Sequence, residues 1–106
     1  MLSLRFDIYL PLSYNNKTPV ESSKFVDTFN ELEKMFGGCS AEVSPIFGSW
    51  IDPTSSITYR DKNRIYHVIC DKTAFNMELI CSYKEKLKCI FEQEDIFMYS
   101  ITVYEL

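Results

Sequence analysis

The chain has 106 residues, 46% hydrophobic and 15% aromatic, enough for one folded domain over residues 1–106 with its own core. Glycine and proline number only 3 and 4, which argues against a disordered chain. The formal charge of -4 argues against nucleic-acid binding, because an acidic surface repels a phosphate backbone.

The hydropathy and cysteine patterns predict where the protein is located and whether it binds a metal or cofactor. No apolar run approaches the roughly 20 residues of a membrane helix, and the alternating N-terminus is unlike a signal peptide. We therefore expect a cytoplasmic protein, not bound to a membrane, with its four cysteines reduced. The single His67 and the cysteines are widely spaced and include no Cys-x-x-Cys pair, so we expect neither a metal site nor a cofactor.

The first element is a strand. Apolar and polar residues alternate over residues 2–12, which predicts a half-buried strand. Its apolar face carries Leu2, Leu4, Phe6, Ile8, Leu10 and Leu12. Its other face carries Ser3, Arg5, Asp7 and Tyr9.

A helix follows. Thr18 and Glu21, three residues apart, predict a capping box, and Pro19 suits the first helical position. Apolar residues at helical spacing then continue to Phe36. Gly37 and Gly38 after it supply the left-handed residue that ends a helix.

Residues 39–70 predict a β-hairpin with an irregular first strand. Pro45 interrupts that strand, residues 52–56 form the turn, and residues 60–63 form either a bulge or a second turn. Trp50 and Tyr59 flank the turn, where their rings can stack across the strands. Trp50 therefore either packs in the core or anchors a partner subunit.

The last two elements are a helix and a strand. Residues 73–91 predict a helix with Asp71 or Thr73 as N-cap. Its apolar stripe consists of Phe75, Leu79, Tyr83, Leu87 and Ile90. Alternation over residues 97–104 predicts a final strand.

The order β-α-β-β-α-β predicts an α+β fold of the ferredoxin-like type. This fold is a sandwich of four antiparallel strands with two helices on one face. Right-handed crossovers would place the first and third strands in the middle of the sheet. The other face is then open, and we call it the open face.

The open face contains the candidate site. Arg5, Asp7 and Tyr9 lie on it, and His67 joins them if the third strand hides Tyr66. We expect the edge of this face to carry Met98, Ser100, Thr102 and Tyr104. A histidine beside a carboxylate can accept a proton. The simpler interpretation, which we favour, is that this mixed face is buried in a homodimer.

Two other site classes fit the sequence poorly. An RNA-recognition module shares this strand order but needs a basic surround and a glycine-aromatic motif, which residues 64–70 lack. Cys39 follows a helix C-terminus, whose negative end disfavours a reactive thiolate.

One resemblance rests on residues 36–70. Phe36-Gly37-Gly38-Cys39, then Gly48-x-Trp50, then Tyr59-x-Asp61 resembles a group of small bacterial and phage-like domains. These domains have Gly-Gly-Thr/Cys after the first helix and a Gly-x-Trp hairpin. The resemblance implies a ferredoxin-like fold, no established activity and no catalytic residues.

Three functional hypotheses follow. The first is a non-enzymatic homo-oligomer that binds a small ligand or a protein partner, with Trp50, Tyr59 and Tyr104 as candidate contacts. The second is a small enzyme that uses His67 with Asp7, Arg5 or Tyr9. The third is an inhibitor-type protein whose acidic surface binds a basic partner.

Overall fold

The fold is an α+β arrangement of two helices on one antiparallel sheet, and the computed structural model describes residues 2–106. In chain order the elements are β1 (Leu2–Pro11), α1 (Ser22–Phe36), β2 (Ser40–Ala41), β3 (Ile46–Ile51), β4 (Thr58–Asp71), α2 (Ala74–Ile90) and β5 (Met98–Tyr104). The strand order is β2-β4-β1-β5, and β3 also pairs with β4. The α+β class and the central positions of β1 and β4 are confirmed. The prediction of four strands is wrong, because the sheet has five.

The additional strand comes from an interrupted edge. β2 and β3 pair with different parts of β4, and Pro45 lies in the gap between them, where it has no N–H to donate to a ladder. β4 itself runs without interruption from Thr58 to Asp71, so the bulge or turn predicted at residues 60–63 is absent. Those residues stay in register because each pairs with a residue of β3.

The core lies on one face of the sheet. Leu4, Phe6, Ile8 and Leu10 of β1 are all buried there, as their alternation predicts. They pack in one cluster with Leu32 of α1 and with Ile80, Tyr83 and Leu87 of α2. Burying each such aliphatic side chain contributes about 1.5–3 kcal/mol. Both helices therefore cover the same face.

The boundaries of α1 are only partly as predicted. The helix begins at Ser22, and its N-cap Glu21 makes no capping hydrogen bond. The predicted capping box is therefore wrong: the Thr18 hydroxyl donates to Asn16, and the Glu21 carboxylate accepts from the Tyr14 hydroxyl. At the other end, Gly37 has a φ of 86° and donates its N–H to the Glu33 carbonyl, which confirms the predicted left-handed cap.

The face of α2 differs from the predicted stripe at its start. Thr73 is the N-cap, and its side chain accepts from the Asn76 N–H at 3.1 Å. Ile80, Tyr83 and Leu87 are buried, whereas Phe75 is 71% exposed. Phe75 precedes Ile80 by five positions, so at about 100° per residue its side chain points about 140° away from that of Ile80 around the helix axis.

The sheet joins the two ends of the described chain. β5 pairs with β1 in antiparallel register, from Leu2 opposite Tyr104 to Ile8 opposite Met98. The Ser3 hydroxyl also donates to the Glu105 carboxylate, 102 residues later. No helix within residues 2–106 is long and apolar enough to span a membrane.

Candidate functional site

The candidate site lies at the middle of the open face. β1 and β4 place Asp7 directly opposite His67, and Arg5 lies two residues before Asp7 on the same face. The structure thus brings together three of the four residues that the sequence singled out, and the fourth, Tyr9, lies two residues after Asp7 on β1. Asp7 is only 2% exposed, although no helix within residues 2–106 covers this face.

Asp7 is held by two cationic side chains. Arg5 donates from Nε to Oδ1 at 2.9 Å and from Nη2 to Oδ2 at 3.0 Å, so both carboxylate oxygens accept from one guanidinium. His67 Nδ1 lies 2.7 Å from Oδ1. Burial disfavours the charge of Asp7, but hydrogen bonds from Arg5, His67 and Tyr99 outweigh burial and lower the pKa of Asp7.

His67 bridges two carboxylates. Its Nε2 lies 2.7 Å from Glu42 Oε1, while its Nδ1 faces Asp7. An ionised carboxylate only accepts hydrogen bonds, so both ring nitrogens carry protons when both contacts are made. Burial lowers the pKa of His67, but the hydrogen bonds to Glu42 and Asp7 raise it more. Both contacts therefore favour the protonated form of His67, and in that form the ring must release a proton before it can accept one.

Glu42 is the site residue that sequence reasoning missed. It follows β2 directly, and its backbone N–H donates to the Ile65 carbonyl at 3.0 Å. That bond continues the alignment in which Ser40 lies opposite His67. Nothing in the sequence marks this position, because a strand of two residues leaves no periodic pattern.

An aromatic cluster adjoins the charged residues. The ring of Tyr9 lies 5.0 Å from Phe97 and 6.1 Å from Tyr99, measured between ring centroids, and Phe97 lies 5.6 Å from Tyr99. Tyr99 is opposite Asp7 in the β1–β5 pairing. Hydrogen bonding with Tyr9 and Asp7 raises the pKa of the Tyr99 hydroxyl. Tyr9, Phe97 and Tyr99 are called the aromatic cluster below.

The predicted face of the last strand is wrong. Register places Tyr99, Ile101 and Val103 beside the open-face residues of β1. The residues expected there, Met98, Ser100, Thr102 and Tyr104, lie on the opposite side, paired with residues such as Leu4 and Phe6. Side chains alternate along a strand, so a shift of one residue exchanges the two faces. Tyr104 is exposed at the end of the strand, away from His67.

Trp50 and Tyr59 lie outside the charged site. They are opposite each other in the β3–β4 pairing, and their rings stack with centroids 4.8 Å apart, which confirms the predicted cross-strand stacking. Trp50 is 53% exposed, so it does not belong to the core. Tyr59 precedes His67 by eight residues on one strand, which separates them by roughly 26 Å. These two rings therefore cannot share a small ligand with His67.

Metal binding and thiol chemistry find no support here. Within residues 2–106 no group of three or more His, Cys, Asp or Glu side chains is arranged to hold a metal ion. Asp7 and Glu42 occupy opposite ring nitrogens of His67, so the three side chains do not converge on one point. Burial raises the pKa of the Cys39 thiol to about 11, which disfavours a reactive thiolate.

The comparisons with known proteins bear on the fold. No family model matches the chain, and no curated protein matches it significantly. Among solved structures, the chain is similar to a phage SAM lyase in complex with S-methyl-5'-thioadenosine, with a TM-score of 0.67 and 16% identity. The match covers 97% of this chain and 93% of that chain. At this identity, the likeness establishes a shared fold.

Proposed function

We propose that the protein is a homo-oligomeric domain that binds a small molecule on the open face. Arg5, Asp7, His67 and Glu42 form the polar part of the proposed site. The observation that carries this proposal is the burial of Asp7 on a sheet face without a covering helix. Apolar side chains would stabilise such a face at least as well as an ion network. A fixed set of charges is instead what a specific ligand site requires.

An adenosine thioether or sulfonium compound is the ligand class we propose. The phage SAM lyase of similar fold is bound to S-methyl-5'-thioadenosine, which suggests this class. The aromatic cluster offers ring faces on which a purine can stack. The carboxylate of Glu42, about half exposed beside His67, can accept hydrogen bonds from ribose hydroxyls or attract a sulfonium charge.

A ferredoxin-like fold is part of the same proposal. If β2 and β3 count as one interrupted edge strand, the order becomes β-α-β-β-α-β with β1 and β4 in the centre. The homo-oligomer is supported by the large apolar side chains exposed on the sheet, such as Phe47 of β3 and Ile69 of β4.

Calorimetry and thermal unfolding with S-methyl-5'-thioadenosine test the ligand. At roughly ten times its Kd, a ligand adds about 1.4 kcal/mol and raises the Tm by roughly 6–10 °C. We expect His67→Gln to abolish this Tm shift. Glu85→Gln is the control and should retain the shift, because Glu85 pairs with Lys88 on the exposed surface of α2. Adenosine without the thioether is the comparison ligand. Absence of both heat and Tm shift at millimolar concentration would refute the proposed ligand class.

A second candidate function is a lyase acting on S-adenosylmethionine. It is favoured by His67, whose charge and two carboxylate partners can hold or move a proton beside a bound ligand. Incubation with S-adenosylmethionine, followed by chromatography, tests it. Formation of S-methyl-5'-thioadenosine that is lost in His67→Ala, with circular dichroism showing that the variant is still folded, supports an enzyme. Binding without conversion leaves the ligand-binding domain as the function.

A further inference from the structure

A β-hairpin of residues 46–63 projects from the sheet, and we call it the arm. It consists of β3 and the first half of β4. The pairing of β1 with β4 ends at Pro11 opposite Asn63, so the arm extends beyond the body of the sheet. At 3.3 Å per residue, the strand from Asn63 to Thr58 reaches about 16 Å outward.

The arm exposes large apolar side chains. Phe47 and Ile51 are each 64% exposed on the side of the sheet that faces the helices, as their register with Lys62 and Thr58 shows. Other apolar side chains exposed on the arm are Ile46, Trp50, Ile57 and Tyr59. At ordinary side-chain sizes Phe47 and Ile51, the two on the helix side, together expose about 250 Å², about a third of the roughly 800 Å² that each partner contributes to a stable interface.

A groove of about 420 Å³ lies at the base of the arm, between α1 and β4. Its apolar lining comes from Phe25, Val26 and Phe29 of α1 and Tyr66 of β4, with Ala41 and Arg64 at its side. The arm of the same chain is held away from this groove, because β4 continues as one uninterrupted strand from the arm into the body of the sheet. A second chain can place its arm there.

Charges on the two surfaces are complementary. Lys62 lies opposite Phe47 in the β3–β4 pairing, and Arg60, two residues before it, lies on the same face of the arm. Asp27 lies on the exposed side of α1, and Glu33 continues the helical row of Val26 and Asn30, which line the groove. None of these four charged residues forms a salt bridge within residues 2–106.

We propose that the arm of one copy binds the α1–β4 groove of a second copy. In this contact, Phe47 and Ile51 pack on Phe25 and Phe29, while Lys62 approaches Glu33. The inference rests on the proposed homo-oligomer and specifies its surfaces. A reciprocal arrangement gives a two-fold dimer and a head-to-tail arrangement gives a ring, and the same residues hold either assembly together.

Native mass spectrometry and sedimentation at micromolar concentration test the contact. We expect an oligomer whose dissociation constant rises at least about tenfold in the Phe47→Ser/Ile51→Ser double variant. Lys62→Glu and Glu33→Lys should each weaken assembly, and the two together should restore it. Phe75→Ser, an equally exposed side chain on α2, is the matched control and should assemble normally. Circular dichroism establishes that each variant is folded.

Two results would overturn the inference. One is a protein that stays monomeric at every concentration up to about 100 μM, which is well above the micromolar range in which ordinary interfaces form. The other is an oligomer whose assembly does not change in the arm variants. If that oligomer dissociates in the Ile101→Asp variant, its interface is the open face, and the proposal of a homo-oligomer stands while the arm contact is refuted. Ligand binding is measured separately, so an arm-dependent oligomer that binds no S-methyl-5'-thioadenosine refutes only the proposed ligand.

Discussion

Asp7 and His67 are directly opposed on the two central strands, and their side chains are joined by a contact of 2.7 Å. The pair therefore links β1 to β4 at the side-chain level as well as through the backbone ladder. Because Arg5 and Glu42 flank it, the network contains two cations and two anions. Its strength depends on the protonation of both opposed residues.

The first prediction concerns pH. The pKa of His67 is raised above its ordinary value of 6.5, so its stabilising contribution is complete below pH 6.5 and is lost as pH rises through the folded-state pKa. The pKa of Asp7 is lowered below 3.8, so its contribution is present above pH 3.8 and is lost as pH falls through the folded-state pKa. Thermal unfolding across this range should show a decline on the alkaline side that His67→Gln removes. An unchanged decline in that variant would disprove the assignment.

The second prediction concerns the buried carboxylate. Asp7→Asn leaves Arg5 and His67 without their shared anion, and removal of one partner from a buried pair is strongly destabilising. We expect a loss of roughly 2–4 kcal/mol in the free energy of unfolding, measured with urea. Glu78→Gln, on the exposed side of α2, should change it by less than about 0.5 kcal/mol. Equal effects of the two substitutions would contradict the role of Asp7.

The third prediction compares adjacent glycines. Gly37 has a φ of +86°, a conformation that penalises a side chain, although nothing lies within 4 Å of a Cβ placed there. Gly37→Ala should therefore cost about 1 kcal/mol. Gly38→Ala also has open space and no such backbone constraint, so it should be neutral or slightly stabilising. The difference between their Tm values is the readout, and a larger loss at Gly38 would reverse the interpretation.

The fourth prediction concerns the buried face of α2. Leu87 is fully buried in the core and Phe75 is largely exposed. Leu87→Ala should lower the free energy of unfolding by about 2–5 kcal/mol. Phe75→Ala should lower it by less than about 0.5 kcal/mol. Chemical denaturation of the two variants distinguishes this face from the stripe predicted by sequence, in which both residues point inward.

The fifth prediction concerns the thiols. Burial raises the pKa of Cys39 to about 11, so only a very small fraction is thiolate at neutral pH. Cys81 and Cys89 are exposed. Timed iodoacetamide labelling with peptide mass spectrometry should modify Cys81 and Cys89 before Cys39, and urea should remove the difference. Faster labelling of Cys39 in the folded protein would indicate an activated thiol.

The sequence predicted those features that a local pattern encodes. The alternation around Phe6 and the glycine after Phe36 identify β1 and the end of α1, because each depends on nearby residues alone. The sequence places His67 beside Asp7 or Arg5 if the third strand hides Tyr66, and the pairing of β1 with β4 selects Asp7. This part of the site needed no knowledge of the loops.

The remainder depends on pairing between distant segments. In β5, the set of Tyr99, Ile101 and Val103 is the more apolar one, so alternation alone directs it toward the helices, whereas the pairing with β1 places it on the open face. Glu42 reaches His67 only through the alignment of a two-residue strand with β4. The capping box at Thr18 failed because Asn16 and Tyr14 compete for its side chains.

The pairing of β1 with β5 has a consequence for biosynthesis. β1 is synthesised before the other strands of the sheet, yet one of its two partner strands ends at Tyr104. Closing a contact between segments about a hundred residues apart is slow compared with local folding. The nascent chain must therefore carry β1 with one edge unpaired until β5, about a hundred residues later, has been synthesised. During that time the apolar residues of β1 are available to chaperones and to neighbouring nascent chains.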